Sequence, residues 1–125
     1  MYKKFLTAIS FALLLGVFTG CSIAPGISEN VPLDPTVMHE NGDLLQVKAI
    51  NSYSGNTLTY YINGQKVASG TERGFRMSAT INGKYKGREF LAIDTWNTNG
   101  FGGTWHISKI YIDGRKAGPN IRFAP

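Results

Sequence analysis

The chain has very few of the residues that usually build a reactive or cross-linked centre. Its 125 residues include one Cys, two His and five Pro, against 15 Gly. A single Cys excludes an internal disulfide framework. Two His leave little material for a metal centre, so we expect no metal site and no cofactor. A chain of this length allows one small domain, and a composition of 42% hydrophobic and 17% charged residues indicates a folded protein.

The first apolar run is too short to cross a membrane. It extends over 14 residues from Phe5 to Phe18, follows the basic pair Lys3 and Lys4, and ends in small residues before Cys21. A helix needs about 20 apolar residues to span a bilayer. The pattern is therefore typical of an export signal rather than of a membrane helix.

The sequence Val17-Phe18-Thr19-Gly20-Cys21 resembles the lipobox of bacterial lipoproteins, with Phe18 where the family most often has Leu. The resemblance covers residues 1–21. It implies that the signal peptide, residues 1–20, is removed and that Cys21 receives acyl chains such as palmitate, which anchor the protein in a membrane. Ser22 resembles the residue found in lipoproteins sorted to the outer membrane. The alternative is that Cys21 is an ordinary buried thiol behind a plain signal peptide.

The net charge of +5 is unevenly distributed. Residues 22–43 contain four acidic residues and no basic one, whereas residues 44–125 contain 11 basic and four acidic residues. The acidic, Pro- and Gly-containing stretch 21–43 is predicted to be a flexible tether between the lipid and a domain formed by 44–125. Its last third could instead pack at a sheet edge, through Val31, Leu33 and Val37.

Residues 44–125 alternate short apolar segments with turn residues. The pairs Asn63-Gly64, Asn82-Gly83 and Asp113-Gly114 are typical of two-residue type I′ hairpins, because they tolerate positive φ at both central positions. β-branched and aromatic residues flank each pair, and no window of ten or more residues keeps a helical period. The sequence predicts an all-β domain of about seven strands, as a small antiparallel β-sandwich or barrel.

Alternating strand directions would place the three predicted turns at one end of the domain. The cations nearest to them are Lys66, Lys84, Lys86, Arg115 and Lys116. We expect the tether to enter at this same end, so that the cations would face the anionic membrane surface. The alternative is that they flank the hairpins for solubility and to prevent pairing between sheet edges.

No sequence pattern specifies a catalytic site. His106 and Ser108 could belong to a Ser-His-Asp arrangement, but no nucleophile elbow is present. Residues two apart on a strand are separated by about 6.6 Å of rise. We therefore expect a half-exposed strand histidine and no enzymatic activity. Export, the lack of a recognition helix and the lack of an RNP-like aromatic pattern argue against nucleic-acid binding.

The most distinctive segment is 96–105, which has three aromatic residues, three Gly and two Asn within ten positions. Flat aromatic faces beside amides suit a sugar ring or a protein groove. We hypothesise a binding surface at the end away from the anchor, formed by Trp96, Asn97, Asn99, Phe101 and Trp105, with Tyr53 nearby. The alternative is that Trp96 and Trp105 cap the core.

These observations predict an outer-membrane-anchored lipoprotein that acts as a non-catalytic binding module for an envelope protein or glycan. One alternative is a structural accessory subunit of an envelope or secretion assembly. Another is a phage- or plasmid-encoded lipoprotein that blocks a surface receptor.

Overall fold

The fold is an antiparallel β structure, as the sequence predicts. The computed structural model describes residues 26–52, 55–72, 78–98 and 104–124. In chain order the elements are β1 (Gly26–Ile27), β2 (Val31–Pro32), α1 (Pro35–Met38), β3 (Leu44–Ser52), β4 (Gly55–Ile62), β5 (Gln65–Glu72), β6 (Ser78–Tyr85), β7 (Arg88–Thr98), β8 (Thr104–Ile112), β9 (Arg115–Lys116) and β10 (Ile121–Phe123).

The six long strands, β3 to β8, follow one another as an antiparallel meander. All ten strands belong to a single sheet that curls into a half-barrel. The short strands lie at its margins: β1 and β2 pair with β3, whereas β9 and β10 pair with β8. The concave face is filled because alternate residues of each long strand point inward, for example Leu58, Tyr60 and Ile62 of β4.

The core joins strands that are distant in the meander. The ring centroids of Tyr60 on β4 and Phe90 on β7 are 5.6 Å apart, and the Tyr60 hydroxyl lies 2.9 Å from Ser108 Oγ on β8. The curl of the sheet thus brings the inner faces of its two halves into contact. Helix α1 contributes Val37 and Met38 to the same core.

Two of the three predicted hairpin turns are confirmed. Asn63-Gly64 and Asp113-Gly114 have positive φ at both residues, as a type I′ turn requires. The turn predicted at Asn82-Gly83 is wrong, because these residues lie within β6 and the reversal occurs at Lys86-Gly87, again with positive φ at both positions. The Asn-Gly pair was therefore not sufficient to locate a turn.

Gly83 is required by a close approach of two backbones. Among the described residues, β5 and β6 are bridged at a single pair, Ala68 and Gly83. A Cβ atom at Gly83 would overlap the carbonyl oxygen of Val67 and lie 2.7 Å from Cβ of Ala68. The absence of a side chain therefore allows the two halves of the half-barrel to meet.

From Gly26 onward the segment is part of the folded domain, so a tether does not extend to residue 43, and the alternative that Val31, Leu33 and Val37 pack at a sheet edge is confirmed. Leu33, Val37 and Met38 are buried in the core. The amide of Leu33 donates to the carbonyl of Asp43, and the amide of Asp34 donates to the carbonyl of Ala117, which follows β9. The segment therefore links the two margins of the curled sheet. We call this link the seam.

The N-terminal segment folds back along the outside strand β3, which the sequence did not predict. The turns at 63–64, 86–87 and 113–114 lie at one end of the sheet, which we call the hairpin end. The opposite end, where β3, β5 and β7 finish, is called the loop end. Gly26 pairs with Ala49 and Pro32 with Leu44, so the segment runs from the loop end towards the hairpin end. The strand that begins at Leu44 starts at the hairpin end, as predicted, but the segment before it folds back along β3, so that Gly26 lies nearer the loop end.

Candidate functional site

The residues predicted to form a binding surface do not share one environment. Trp96 is buried at 5% exposure, whereas Trp105 is 41% exposed. Their positions explain the difference, because Trp96 pairs with buried His106 and Trp105 pairs with exposed Asn97. Trp96 therefore belongs to the core, and only Asn97 and Trp105 of the described residues in this set remain on the surface. Tyr53, Asn99, Phe101 and Cys21 lie outside the described residues.

The buried centre of the domain contains a polar network that was not predicted. Asp94, His106, Ser108 and Tyr60 are all fully buried. One carboxylate oxygen of Asp94 lies 2.7 Å from Nδ1 of His106, and the other accepts a 2.6 Å hydrogen bond from Ser108 Oγ. Because Ser108 uses its only proton in that bond, the Tyr60 hydroxyl is the donor in its 2.9 Å contact with Ser108. The network thus runs from Tyr60 through Ser108 to Asp94 and His106.

This geometry differs from that of a catalytic triad. In a triad the histidine accepts the proton of the serine and the carboxylate orients the histidine. Here Asp94 lies between the other two, and Ser108 donates to Asp94 instead of His106. None of the side chains reaches the surface. The arrangement satisfies polar groups in the core and does not activate Ser108 as a nucleophile.

The prediction that His106 is half-exposed is wrong. Its ring is fully buried and lies between two aromatic rings, with centroids 4.9 Å from Phe123 in a stacked arrangement and 5.8 Å from Trp96. Its Nε2 atom has no hydrogen-bond partner among the residues that the structure describes. Strand parity could have indicated this burial. Ala92, Asp94 and Trp96 lie on the same face of β7, which faces the core, and His106 is paired with Trp96.

The network also affects the acidity of Tyr60. Burial in the core and the nearby Asp94 carboxylate raise the pKa of the Tyr60 hydroxyl far above its ordinary value, because both disfavour the phenolate. Tyr60 is therefore held in its neutral form, in which it can donate to Ser108.

The cations at the hairpin end are interspersed with carboxylates. Lys86 Nζ lies 2.6 Å from Glu40, and Lys84 Nζ lies 3.8 Å from Glu89. Lys66 and Lys116 have no carboxylate within 4 Å among the described residues, and Arg115 acts electrostatically on Asp34. The basic residues that were predicted to face the membrane thus belong to a surface of mixed charge.

A third ion pair fixes the turn between β8 and β9. Arg88 Nε donates to Asp113 at 2.8 Å, and the amide of Glu89 donates to the other oxygen of the same carboxylate at 2.9 Å. These hydrogen bonds lower the pKa of Asp113. Asp113 therefore stays ionised and ties the turn at 113–114 to the start of β7.

A shallow depression of about 500 Å³ lies beside the seam at the hairpin end. Its lining residues are Pro32, Leu33, Asp34, Pro35, Lys116, Gly118 and Pro119. Thr36 donates two hydrogen bonds to Asp34, from its amide and its hydroxyl, and these lower the pKa of that carboxyl. The depression therefore has an apolar floor with one fixed negative and one positive group.

Comparison with protein families, with curated proteins and with solved structures gave no match. Within the described residues, no helix is long and apolar enough to cross a membrane. The same part of the chain contains no group of three or more His, Cys, Asp or Glu side chains that could hold a metal ion.

Proposed function

We propose that the protein is an outer-membrane-anchored lipoprotein whose domain acts as a non-catalytic interaction module for a protein of the envelope. The observation that carries this proposal is the position of Cys21 relative to the fold. The first strand begins at Gly26, five residues after the lipobox cysteine. A lipid on Cys21 would therefore hold the folded domain directly at the membrane surface.

The short distance in sequence also favours one orientation of the domain. Five residues span at most ~18 Å when fully extended. Gly26 is level with Ala49, about three residues, or ~10 Å, from the loop end of β3. For the hairpin end to face the membrane, the chain between Cys21 and Gly26 would have to reverse its direction. Even fully extended, it would then reach no farther than the level of Leu44. An anchor at Cys21 thus favours a loop end that faces the membrane and a hairpin end that faces away.

The hairpin end has the character of a protein-binding surface. An apolar floor bordered by charged groups of both signs is typical of protein interfaces, which have an apolar centre and a polar rim. A glycan site usually offers an exposed aromatic face. The residues that line the depression include no aromatic side chain. These features favour a protein partner over a glycan, at the surface formed by Asp34, Pro35, Lys116 and Pro119.

Acyl labelling tests the anchor. Cells that express the full chain are supplied with a radioactive or clickable fatty acid, and membranes are then separated by density. We expect the wild-type protein to carry label in the outer-membrane fraction, and Cys21→Ser to carry none. Label that persists on Cys21→Ser, or its absence from the wild type, would contradict lipidation.

Cross-linking in cells, followed by purification, tests the interaction surface. Lys116→Glu reverses an exposed charge at the depression, whereas Lys109→Glu makes the same change on the outer face of β8, opposite Ile93. We expect one partner to be captured by the wild type and by Lys109→Glu, and to be lost from Lys116→Glu. Equal capture by all three proteins would show that the depression is not the binding surface.

A further inference from the structure

Two of the four exposed large hydrophobic side chains among the described residues lie at the loop end. The large hydrophobic residues exposed among the described ones are Ile27, Leu44, Ile50 and Trp105. Ile50 is two residues from the end of β3, and Trp105 is the second residue of β8, so both lie at the loop end. Exposed apolar groups that gather at one end of a small domain indicate a contact surface.

Each of these two apolar residues has a neighbouring cation on the same face of the sheet, farther from the loop end. Lys48 lies two positions before Ile50 on the same face of β3. Arg122 pairs with Ile107, two positions after Trp105 on the same face of β8. Two strand residues span about 7 Å, so on both sides of the half-barrel a cation lies about 7 Å farther from the loop end than the apolar group. On the β3 side, Ile27 pairs with Lys48 at the level of the cation.

This order of side chains matches the layers of a bilayer surface. Trp favours the boundary between headgroups and acyl chains, where its apolar ring and its N–H group are both accommodated. Lys and Arg extend their charged groups to the phosphates while their stems cover apolar surface. A side chain that sits about 7 Å farther from the acyl chains is well placed for a phosphate contact. The hairpin end lacks this order, since the residue two positions inward from the exposed Leu44, on the same face of β3, is the uncharged Gln46.

We infer that the loop end docks on the phospholipid surface of the membrane that holds the anchor, with Trp105 and Ile50 in the interfacial layer and Lys48 and Arg122 at the phosphates. This inference rests on the proposed lipidation of Cys21 and on the direction of β1, whose first residue, Gly26, is the one nearer the loop end. The membrane then contacts the protein at two places, the lipid and the loop end, and the domain has a fixed orientation instead of tumbling on its linker. Trp105 thereby becomes a membrane-contact residue, not a binding residue for a glycan.

Single-cysteine variants of the lipidated protein test the orientation. Because Cys21 is the only cysteine of the chain, an introduced thiol is the only one left to react when Cys21 is acylated. Asn97→Cys places the thiol beside Trp105 at the loop end, and Lys66→Cys places a matched, exposed thiol at the hairpin end. Each protein is reconstituted in vesicles of phosphatidylethanolamine and phosphatidylglycerol. The rate of reaction with a water-soluble maleimide is compared with that of the soluble Cys21→Ser form.

We expect severalfold slower modification of Asn97→Cys on vesicles and an unchanged rate for Lys66→Cys. Adding Trp105→Ser and Ile50→Ser should restore the rate at position 97, while the protein still floats with the vesicles on its lipid. Equal rates at both positions, or protection of position 66 instead, would overturn the inference while flotation upholds the anchor. Protection of position 97 in whole envelopes but not in protein-free vesicles would also overturn it, by showing a protein at the loop end. Loss of flotation would overturn the anchor and this inference together.

Discussion

Asp94 and His106 face each other in the core, with a carboxylate oxygen 2.7 Å from Nδ1 and both side chains fully buried. The two residues belong to neighbouring pairs on the inner face of β7 and β8. Asp94 is paired with Ser108, and His106 is paired with Trp96. A polar group removed from water must find partners in the protein, because an unpaired one costs about 1–3 kcal/mol. The network therefore specifies the register of these two strands as well as their packing.

The order of donors in this network leads to unequal effects of two conservative substitutions. Ser108→Ala leaves an Asp94 oxygen without its donor and the Tyr60 hydroxyl without its acceptor, so we expect a loss of about 2 kcal/mol in the free energy of unfolding. Tyr60→Phe removes only the terminal donor and should cost about 1 kcal/mol. Urea unfolding of both variants measures the difference. A larger loss for Tyr60→Phe would contradict the assigned direction of the hydrogen bonds.

Alkaline pH should destabilise the fold through Tyr60. Its pKa is raised in the folded protein, so the unfolded chain, with a tyrosine pKa near 10, releases the proton first. The stabilising contribution is thus present below pH ~10 and is lost above it, by ~1.4 kcal/mol per pH unit for one group. The free energy of unfolding, measured from pH ~9 to pH ~11, one unit on either side of the tyrosine pKa near 10, should fall less steeply in Tyr60→Phe. Parallel curves for the two proteins would refute this role of Tyr60.

Gly83 should not tolerate even a methyl group. Its Cβ would overlap the backbone of Val67, which has no freedom to move aside, so we expect Gly83→Ala to cost about 3 kcal/mol or more. Gly118→Ala is the control, because the nearest atom to its Cβ is 3.5 Å away. That substitution should change the free energy of unfolding by less than about 0.5 kcal/mol. Thermal unfolding of both variants provides the comparison, and equal midpoints would show that β5 and β6 are not held so close.

The two Asn-Gly pairs of the sequence should respond differently to the same substitution. Asn63 has positive φ, its Oδ1 accepts from the Leu44 amide at 3.0 Å, and its Nδ2 donates to Asp43 at 2.8 Å. Asn63→Ala loses both bonds and strains the turn, at a cost of roughly 2 kcal/mol. Asn82 is exposed within β6, so we expect Asn82→Ala to have little effect on stability. A large loss from Asn82→Ala, measured by urea unfolding, would indicate that the turn is at 82–83.

The strands were predictable from alternation, but the position of the reversal between β6 and β7 was not. A two-residue turn at 82–83 would place Lys84 and Lys86 on the same face as Ile81, in the core. A turn at 86–87 instead directs Tyr85 inward and leaves both lysines exposed. Burial of the correct face outweighs the preference of Asn-Gly for the turn, although Lys86 must adopt positive φ. The alternation of basic residues over 84–88 was the available signal.

The candidate surfaces were less predictable because they depend on the path of the N-terminal segment. Its prolines and acidic residues are typical of a linker, yet the isolated apolar residues Leu33, Val37 and Met38 become buried only against the far margins of the sheet. No local period reveals such a contact. The segment folds back along β3 and places Gly26 nearer the loop end, and strand parity places Trp96 in the core and Trp105 on the surface.

The seam between Asp34 and Ala117 has a consequence for the order in which the domain forms. The hairpins from β3 to β8 bring together residues that are close in sequence, and such contacts form early. The seam joins the first and the last parts of the domain, so it cannot close until nearly the entire chain is available. A chain shortened at either terminus would keep the meander but expose both margins of the sheet to pairing with other molecules. Residues 31–39 and 117–123 thus cover the sheet margins only when both are present, and we expect fragments that lack either of them to aggregate.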